Sequence, residues 1–260
     1  RGFLHQYIGE EAVAVGAISV LKDSDYIITH YRDHGHALAR GVDPNKTMAE
    51  LFGRIGGLSK GKGGSMHLFD AEKGFIGGHA IVGGQFPLAA GLALSHQYRK
   101  TDGVCIVFFG DGSTNQGTYH EVMNLASVWN LPMLFFLENN LYGMGSRFDR
   151  VRAGGEDFYP GAATYGIEQA AVVDGMDVIA VQEATTVALE SIRAGNGPAF
   201  IEAKTFRFQG HSMADPVKYR DNSETIAWEE RDPITTFPQQ LLEQDLISEA
   251  ELDEIKSSVD

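Results

Sequence analysis

The apolar run Val104 to Phe109 ends in Gly110-Asp111-Gly112, and 26 residues separate that triplet from Asn139-Asn140, which close on a second apolar run, Leu131 to Leu137, through Glu138. Between the runs, Tyr119, Val122, Met123, Ala126 and Trp129 recur at the spacing of one helical face. The unit is therefore strand, helix, strand. A right-handed crossover makes the strands parallel and brings Asp111 and Asn140 to the same carboxyl edge, where open α/β sheets bind ligands. A carboxylate and a carboxamide supply hard oxygens for Mg²⁺, which takes its other ligands from water and phosphate. Gly110 and Gly112 allow a sharp turn and close approach of backbone to phosphate. The arrangement reads as a diphosphate site.

The rest of the chain alternates in the same way. Helices are predicted over Glu10 to Leu21, Met48 to Arg54, alanine-rich Pro87 to Tyr98, and Thr185 to Ala194. Strands are predicted at Tyr26 to Thr29, Val172-Val173, Asp177 to Val181, and Phe200 to Phe206, while the glycine-dense stretch Gly53 to Gly84 reads as irregular. From Asp232-Pro233 onward the chain is helical and acidic, with Ser248 and Glu251 forming a capping box. The fold class is α/β, a mostly parallel sheet flanked by helices, in one domain over residues 1–260. Two long segments without apolar periodicity, 145–159 and 209–221, are expected to be mobile active-site loops.

Composition sets limits. A 43% hydrophobic content over 260 residues suffices for a sizeable core, and no apolar run is long enough for membrane insertion. The net charge of −14 argues against a nucleic-acid partner. Cys105 is the single cysteine, so no internal disulfide can form and a reducing compartment is expected. Because the chain begins at Arg1 and enters a motif almost at once, its ends are expected to be trimmed and any targeting peptide would be invisible.

Three near-matches are excluded. Gly56 to Lys62 fits the start of a P-loop, but Gly63 stands where Ser or Thr must meet Mg²⁺. Gly110-Asp111-Gly112 opens a dinucleotide fingerprint that Asn115 breaks, and His120-Glu121 opens a zinc-protease helix that Asn124 breaks.

The spacing GDG-x26-NN resembles the thiamine diphosphate motif. With it run His5-Gln6-Tyr7-Ile8-Gly9-Glu10-Glu11-Ala12, Tyr31-Arg32-Asp33-His34-Gly35, Lys60 to His67, Ile81-Val82-Gly83 and Gly210-His211-Ser212-Met213. In that order they resemble the alpha subunits of thiamine diphosphate-dependent 2-oxo acid dehydrogenases of the pyruvate dehydrogenase type, over almost the whole chain. The resemblance implies the thiamine diphosphate-binding fold and a Mg²⁺ held by Asp111, the Asn140 side chain and the Tyr142 carbonyl. It implies diphosphate contacts from Tyr31, Arg32, Gly112, Ser113, Gly143 and His211. Backbone near Ala80 and Val82 would meet the aminopyrimidine, and either Val82 or Met144 would support the bent cofactor. His5 and His211 are the candidates for proton transfer. Asn139 is either a turn residue or a site residue, and His67 either a satisfied loop histidine or a third proton-transfer group. His34, His36 and His120 read as packing or surface residues.

By the same resemblance, the glutamate that activates the aminopyrimidine belongs to a beta subunit. The implied assembly is a heterotetramer (α₂β₂) that decarboxylates pyruvate and passes the acetyl unit to a lipoyl arm on an acyltransferase core. The compartment would be cytoplasmic in a bacterium and the mitochondrial matrix or plastid in a eukaryote. Ser212 matches a regulated serine of the animal enzymes, but Lys218 and Arg147 stand where the other regulated serines would be and Gln209 replaces a histidine, which argues against kinase control. An acetoin dehydrogenase alpha subunit shares nearly every motif, whereas Lys60 to His67 and the Tyr31 segment fit the branched-chain enzyme less well. Alternatives from other classes are a non-catalytic Mg-phosphate-binding scaffold subunit and a non-thiamine Mg-phosphate transferase.

Overall fold

The computed structural model describes residues 3–259. Arg1, Gly2 and Asp260, and with them the expected trimmed ends, lie outside the described residues. Nine helices are described: α1 (Glu11–Ser19), α2 (His34–Ala39), α3 (Pro44–Leu51), α4 (Gln85–Arg99), α5 (Gly117–Val128), α6 (Val178–Arg193), α7 (Asn222–Glu229), α8 (Pro233–Glu243) and α9 (Glu249–Val259). The strands are β1 (Tyr26–His30), β2 (Phe75–His79), β3 (Cys105–Gly110), β4 (Met133–Asn139), β5 (Tyr142–Gly143), β6 (Ser146–Arg147), β7 (Ala170–Asp174) and β8 (Ala199–Lys204).

Six strands form one parallel sheet in the order β2-β1-β3-β4-β8-β7, and β5 and β6 pair as a small antiparallel hairpin. Side chains alternate across the sheet. Ile106 and Phe108 of β3 face a cluster with α1 and α6, while Cys105, Val107 and Phe109 face one with α4 and α5. Both faces are covered, so β3 and β4 read as continuous apolar runs. Within α4 the buried alanines Ala89, Ala90 and Ala93 let the helix lie close to the sheet.

Helix α1 is buried over most of its surface and packs against α6, with Gly16 at the contact. A Cβ on Gly16 would stand 2.6 Å from the Val178 carbonyl oxygen. Gly16→Ala gains up to about 1 kcal/mol of helix propensity. Overpacking costs about 1–3 kcal/mol, and a backbone carbonyl cannot swing aside, so a lower urea midpoint is expected.

The parallel α/β expectation holds, with three local differences. Asp177 to Val181 is not a strand: the Asp177 side chain accepts from the Ile179 and Ala180 amides and starts α6. An N-cap aspartate before a β-branched run looks like strand material until its capping bonds are seen. Helix α3 starts at Pro44 because Asp43 caps it and proline suits the first turn. The glycine-dense stretch contains β2, whose Gly77 and Gly78 admit the Phe69 ring and the Asp33 carboxylate where side chains would clash. The Ser248–Glu251 capping box forms as expected, with Ser248 N donating to Glu251 at 2.9 Å and Glu251 N donating back to Ser248 Oγ at 3.3 Å.

Candidate active site at the carboxyl edge of the sheet

From β1 the chain crosses to β2 on one side, and from β3 to β4 on the other, so β1 and β3 flank a topological switch point. A cavity of about 590 Å³ opens over the carboxyl ends of these strands, β4 and β8. Of the residues singled out from the sequence, His5, Tyr31, Arg32, Ala80, Val82, Asp111, Gly112, Ser113, Asn140, Tyr142, Gly143, Met144 and His211 line it, whereas Asn139 and His67 do not. Its size is that of an ordinary small-molecule site.

Asp111 and Asn140 follow adjacent strands in direct register, Gly110 lying opposite Glu138. Asp111 is buried and its Oδ2 has no hydrogen-bond partner. Burial pushes its carboxyl up to about 6, opposed by the nearby Arg207 charge. The Asn140 side-chain oxygen accepts only a 3.3 Å bond from Tyr142 N, leaving acceptor capacity free. The Tyr142 carbonyl accepts from Arg207 at 3.1 Å and retains a second lone pair. Gly112 and Gly143 approach so closely that a Cβ on either would meet the other's Cα at 3.3 or 3.2 Å. Leu141 and Met144, on either side of Tyr142-Gly143, hold left-handed φ angles of 71° and 56°. Such strain clusters at binding sites. Among the described residues no group of three or more His, Cys, Asp and Glu could hold a metal, so a cation here needs the carboxamide and carbonyl oxygens. An orphaned carboxylate oxygen in a cavity that Asn140 and Tyr142 also line fits Mg²⁺, and the glycine cradle fits a diphosphate.

Asn139 takes the turn role. Its Oδ1 accepts from Leu141 N at 3.2 Å and its Nδ2 donates to Glu202 at 2.7 Å, which aims Asn140 rather than Asn139 at the cavity. Val82 and Met144 are 40% and 66% exposed, so neither is core and both remain available as a hydrophobic support.

Two buried arginines, Arg32 and Arg207, also line the cavity. Arg32 donates to the Gln6 carbonyl at 2.7 Å and the His211 carbonyl at 3.0 Å, with Nε 3.4 Å from Glu10. Arg207 donates to the Met144 carbonyl at 2.6 Å and to Tyr219 Oη at 2.8 Å as well as to Tyr142. Its importance was not evident in the sequence, although its place just beyond β8 is a usable signal. The His5 ring lies 4.5 Å from Tyr31 and 5.0 Å from His211, between centroids. Burial, helped by Arg32, lowers His5 to about 3 and His211 to about 4, so both imidazoles are neutral near pH 7.

The sign of that shift gives a prediction. Folded pKa values below the ordinary 6.5 mean that the unfolded chain binds protons first. The contribution of neutral His211 to stability is complete above pH 6.5 and declines as pH falls toward 4. His211→Gln should therefore lose less melting temperature than the unmodified chain between pH 6.5 and 4.5, a range set by that shift.

Beneath the cavity floor lies a polar cluster that no motif disclosed. Glu138, fully buried, accepts from Tyr7 Oη, from His36 Nε2 at 3.0 Å and from His30 Nε2 at 2.6 Å. His30 Nδ1 accepts from Arg32 N at 3.2 Å, which assigns the imidazole proton to Nε2. Burial works to raise the Glu138 carboxyl, but the two imidazoles outweigh it and hold the group ionised. His36 thus packs inside, as expected. His120 is exposed and bonded to Tyr165 at 2.5 Å, and His34 meets Ser65 at 3.0 Å. His67 Nδ1 bonds the Gly78 carbonyl at 2.9 Å and does not line the cavity, which makes it a satisfied loop histidine. The P-loop near-match has its own explanation: the amides of Ser59, Gly61, Gly63 and Gly64 all donate to the Glu50 carboxylate, so an internal anion fills the nest.

With a cavity over strands whose connections diverge, the chain is an α/β protein of the kind that binds its ligand at a switch point. The family described as dehydrogenase E1 component matches residues 1–260. A pyruvate dehydrogenase E1 component subunit alpha of Rhizobium meliloti (strain 1021) is 49% identical over 259 residues, spanning 99% of this chain and 74% of the relative. One of Zymomonas mobilis is 50% identical over 242 residues, spanning 92% and 68%. A mitochondrial one of Dictyostelium discoideum is 46% identical over 261 residues, spanning 100% and 68%. The chain belongs to the dehydrogenase E1 component family, with the fold expected from its sequence, and is an oxidoreductase. No helix among the described residues is long and apolar enough to cross a membrane.

Proposed function

We propose that the chain is the alpha subunit of a thiamine diphosphate- and Mg²⁺-dependent 2-oxo acid dehydrogenase acting on pyruvate. One observation carries the reading: the partnerless, buried Asp111 oxygen stands beside Asn140 at adjacent strand ends, facing a cavity lined by Arg32 and Arg207. The names of the relatives support pyruvate as the substrate. Asp111, Asn140 and the Tyr142 carbonyl would hold Mg²⁺. Gly112, Ser113, Gly143, Tyr31, Arg32 and His211 would surround the diphosphate, with Arg207 adding positive charge behind it. Ala80 and Val82 would meet the ring end through their backbone, with Val82 or Met144 as apolar support. When bound, thiamine diphosphate supplies the electron sink that a 2-oxo acid decarboxylation needs.

This chain's residues bind, orient and exclude water. His5 and His211, neutral and with rings 5.0 Å apart, would take up or return a proton at a substrate oxygen. Segments 145–159 and 209–221 border the cavity and are proposed as its mobile walls. A beta subunit would complete the site in an α₂β₂ assembly, and a lipoyl arm of the acyltransferase core would receive the acetyl unit.

Calorimetry on the co-expressed alpha and beta chains tests the reading, with thiamine diphosphate titrated in the presence and absence of Mg²⁺. Binding that needs Mg²⁺ is expected, together with turnover of pyruvate in preference to acetoin or branched-chain 2-oxo acids. Tight binding independent of the metal would refute it.

A further inference from the structure

Glu10 sits at the amino end of α1, fully buried and 130 residues from Asn140 in sequence. Its position is that of a helix cap, yet its side chain makes no capping bond. The neighbouring Glu11 carboxylate accepts from Gly9 N instead, at 2.9 Å. What Glu10 does touch is the site. Its Oε1 accepts from Asn140 Nδ2 at 2.9 Å, and its Oε2, which has no hydrogen bond of its own, stands 3.4 Å from Arg32 Nε.

The nitrogen of the Asn140 amide faces Glu10 and its oxygen faces away, the arrangement that a carboxylate, which in its ionised form only accepts, selects. A carboxamide has two orientations of similar shape, only one of which presents oxygen to a cation, and apart from Glu10 only the long 3.3 Å bond from Tyr142 N favours that one. We propose that Glu10 is a positioning residue that orients the Asn140 carboxamide toward the cation site while holding Arg32 beside it. The inference rests on the reading of Asp111 and Asn140 as cation ligands. Through one carboxylate the metal corner is tied to the cationic corner of the cavity, although Glu10 itself does not line it.

The test uses the assembled complex of alpha and beta chains, with Mn²⁺ titrated by electron paramagnetic resonance at saturating thiamine diphosphate. Glu10→Leu keeps the approximate volume but has no acceptor, and should weaken Mn²⁺ binding by about 10–100-fold, as loss of an outer-shell partner does. Glu10→Gln retains an oxygen for Asn140 Nδ2 and should stay within roughly threefold of the unmodified complex. Adding Asn140→Asp to Glu10→Leu should restore binding, because a carboxylate presents an oxygen in either orientation. Unchanged affinity in Glu10→Leu, or a loss that Asn140→Asp fails to restore, would overturn the proposal. Where Glu10→Leu does not assemble, Glu10→Gln decides, and a loss of more than about tenfold there overturns it. Failure of the unmodified complex to bind thiamine diphosphate with Mg²⁺ would refute the site reading instead.

Discussion

Asp111→Ala should abolish Mg-dependent thiamine diphosphate binding, with affinity falling by more than about 100-fold, beyond the 10–100-fold typical of losing an outer-shell partner. Asp111 contributes the only carboxylate among the expected cation ligands, and Asn140 and the Tyr142 carbonyl are neutral. Removing the negative charge leaves a dipolar set facing Arg207, which repels a cation. Stability should move the other way. In the ligand-free chain the buried Asp111 Oδ2 has no partner, and burial outweighs the stabilisation the carboxylate receives from Arg207 and the Gly112 and Gly143 amides, so deleting the side chain removes a net desolvation cost. The ligand-free complex should melt at the same temperature or higher, while the increase in melting temperature on adding ligand disappears. Calorimetry and thermal denaturation of the same preparation check both halves. Near-normal affinity would refute the role given to Asp111.

Glu138→Ala should cost about 3–5 kcal/mol of stability, since each buried donor left unsatisfied costs about 1–3 kcal/mol. Three side chains donate to this carboxylate, and each would lose its acceptor in a space that admits no bulk water. Glu138→Gln should cost less, about 1–3 kcal/mol, since an amide oxygen still satisfies part of the set. Urea denaturation of the assembled complex separates the variants. The same substitution should disturb the site, because His30 connects Glu138 to the backbone amide of Arg32 at 3.2 Å. A Glu138→Ala complex as stable as the unmodified one would mean that the cluster is not paired as described.

The alternating elements were legible because their causes are local. Apolar runs covered on both faces make β3 and β4, and the stripe from Tyr119 makes α5. Once those strands are parallel, Asp111 and Asn140 must share an edge, and the motifs around them locate the other cavity residues. Failures of sequence reading were also local. The capping bonds of Asp177, where a strand was expected, depend on backbone angles that residue type alone leaves open, as do the turn bonds that decided between the two roles open to Asn139.

What the sequence by itself determined was therefore the order of elements and which residues reach the carboxyl edge, since periodicity and strand ends are properties of neighbouring residues. Tertiary structure alone decided how those residues are held. Glu10 meets Asn140 across 130 positions, Tyr7 meets Glu138 across 131, and Arg207 reaches back 65 to Tyr142. Pairings of that span leave no spacing pattern in the chain. They arise because a buried polar group must find a partner wherever folding has brought one within reach.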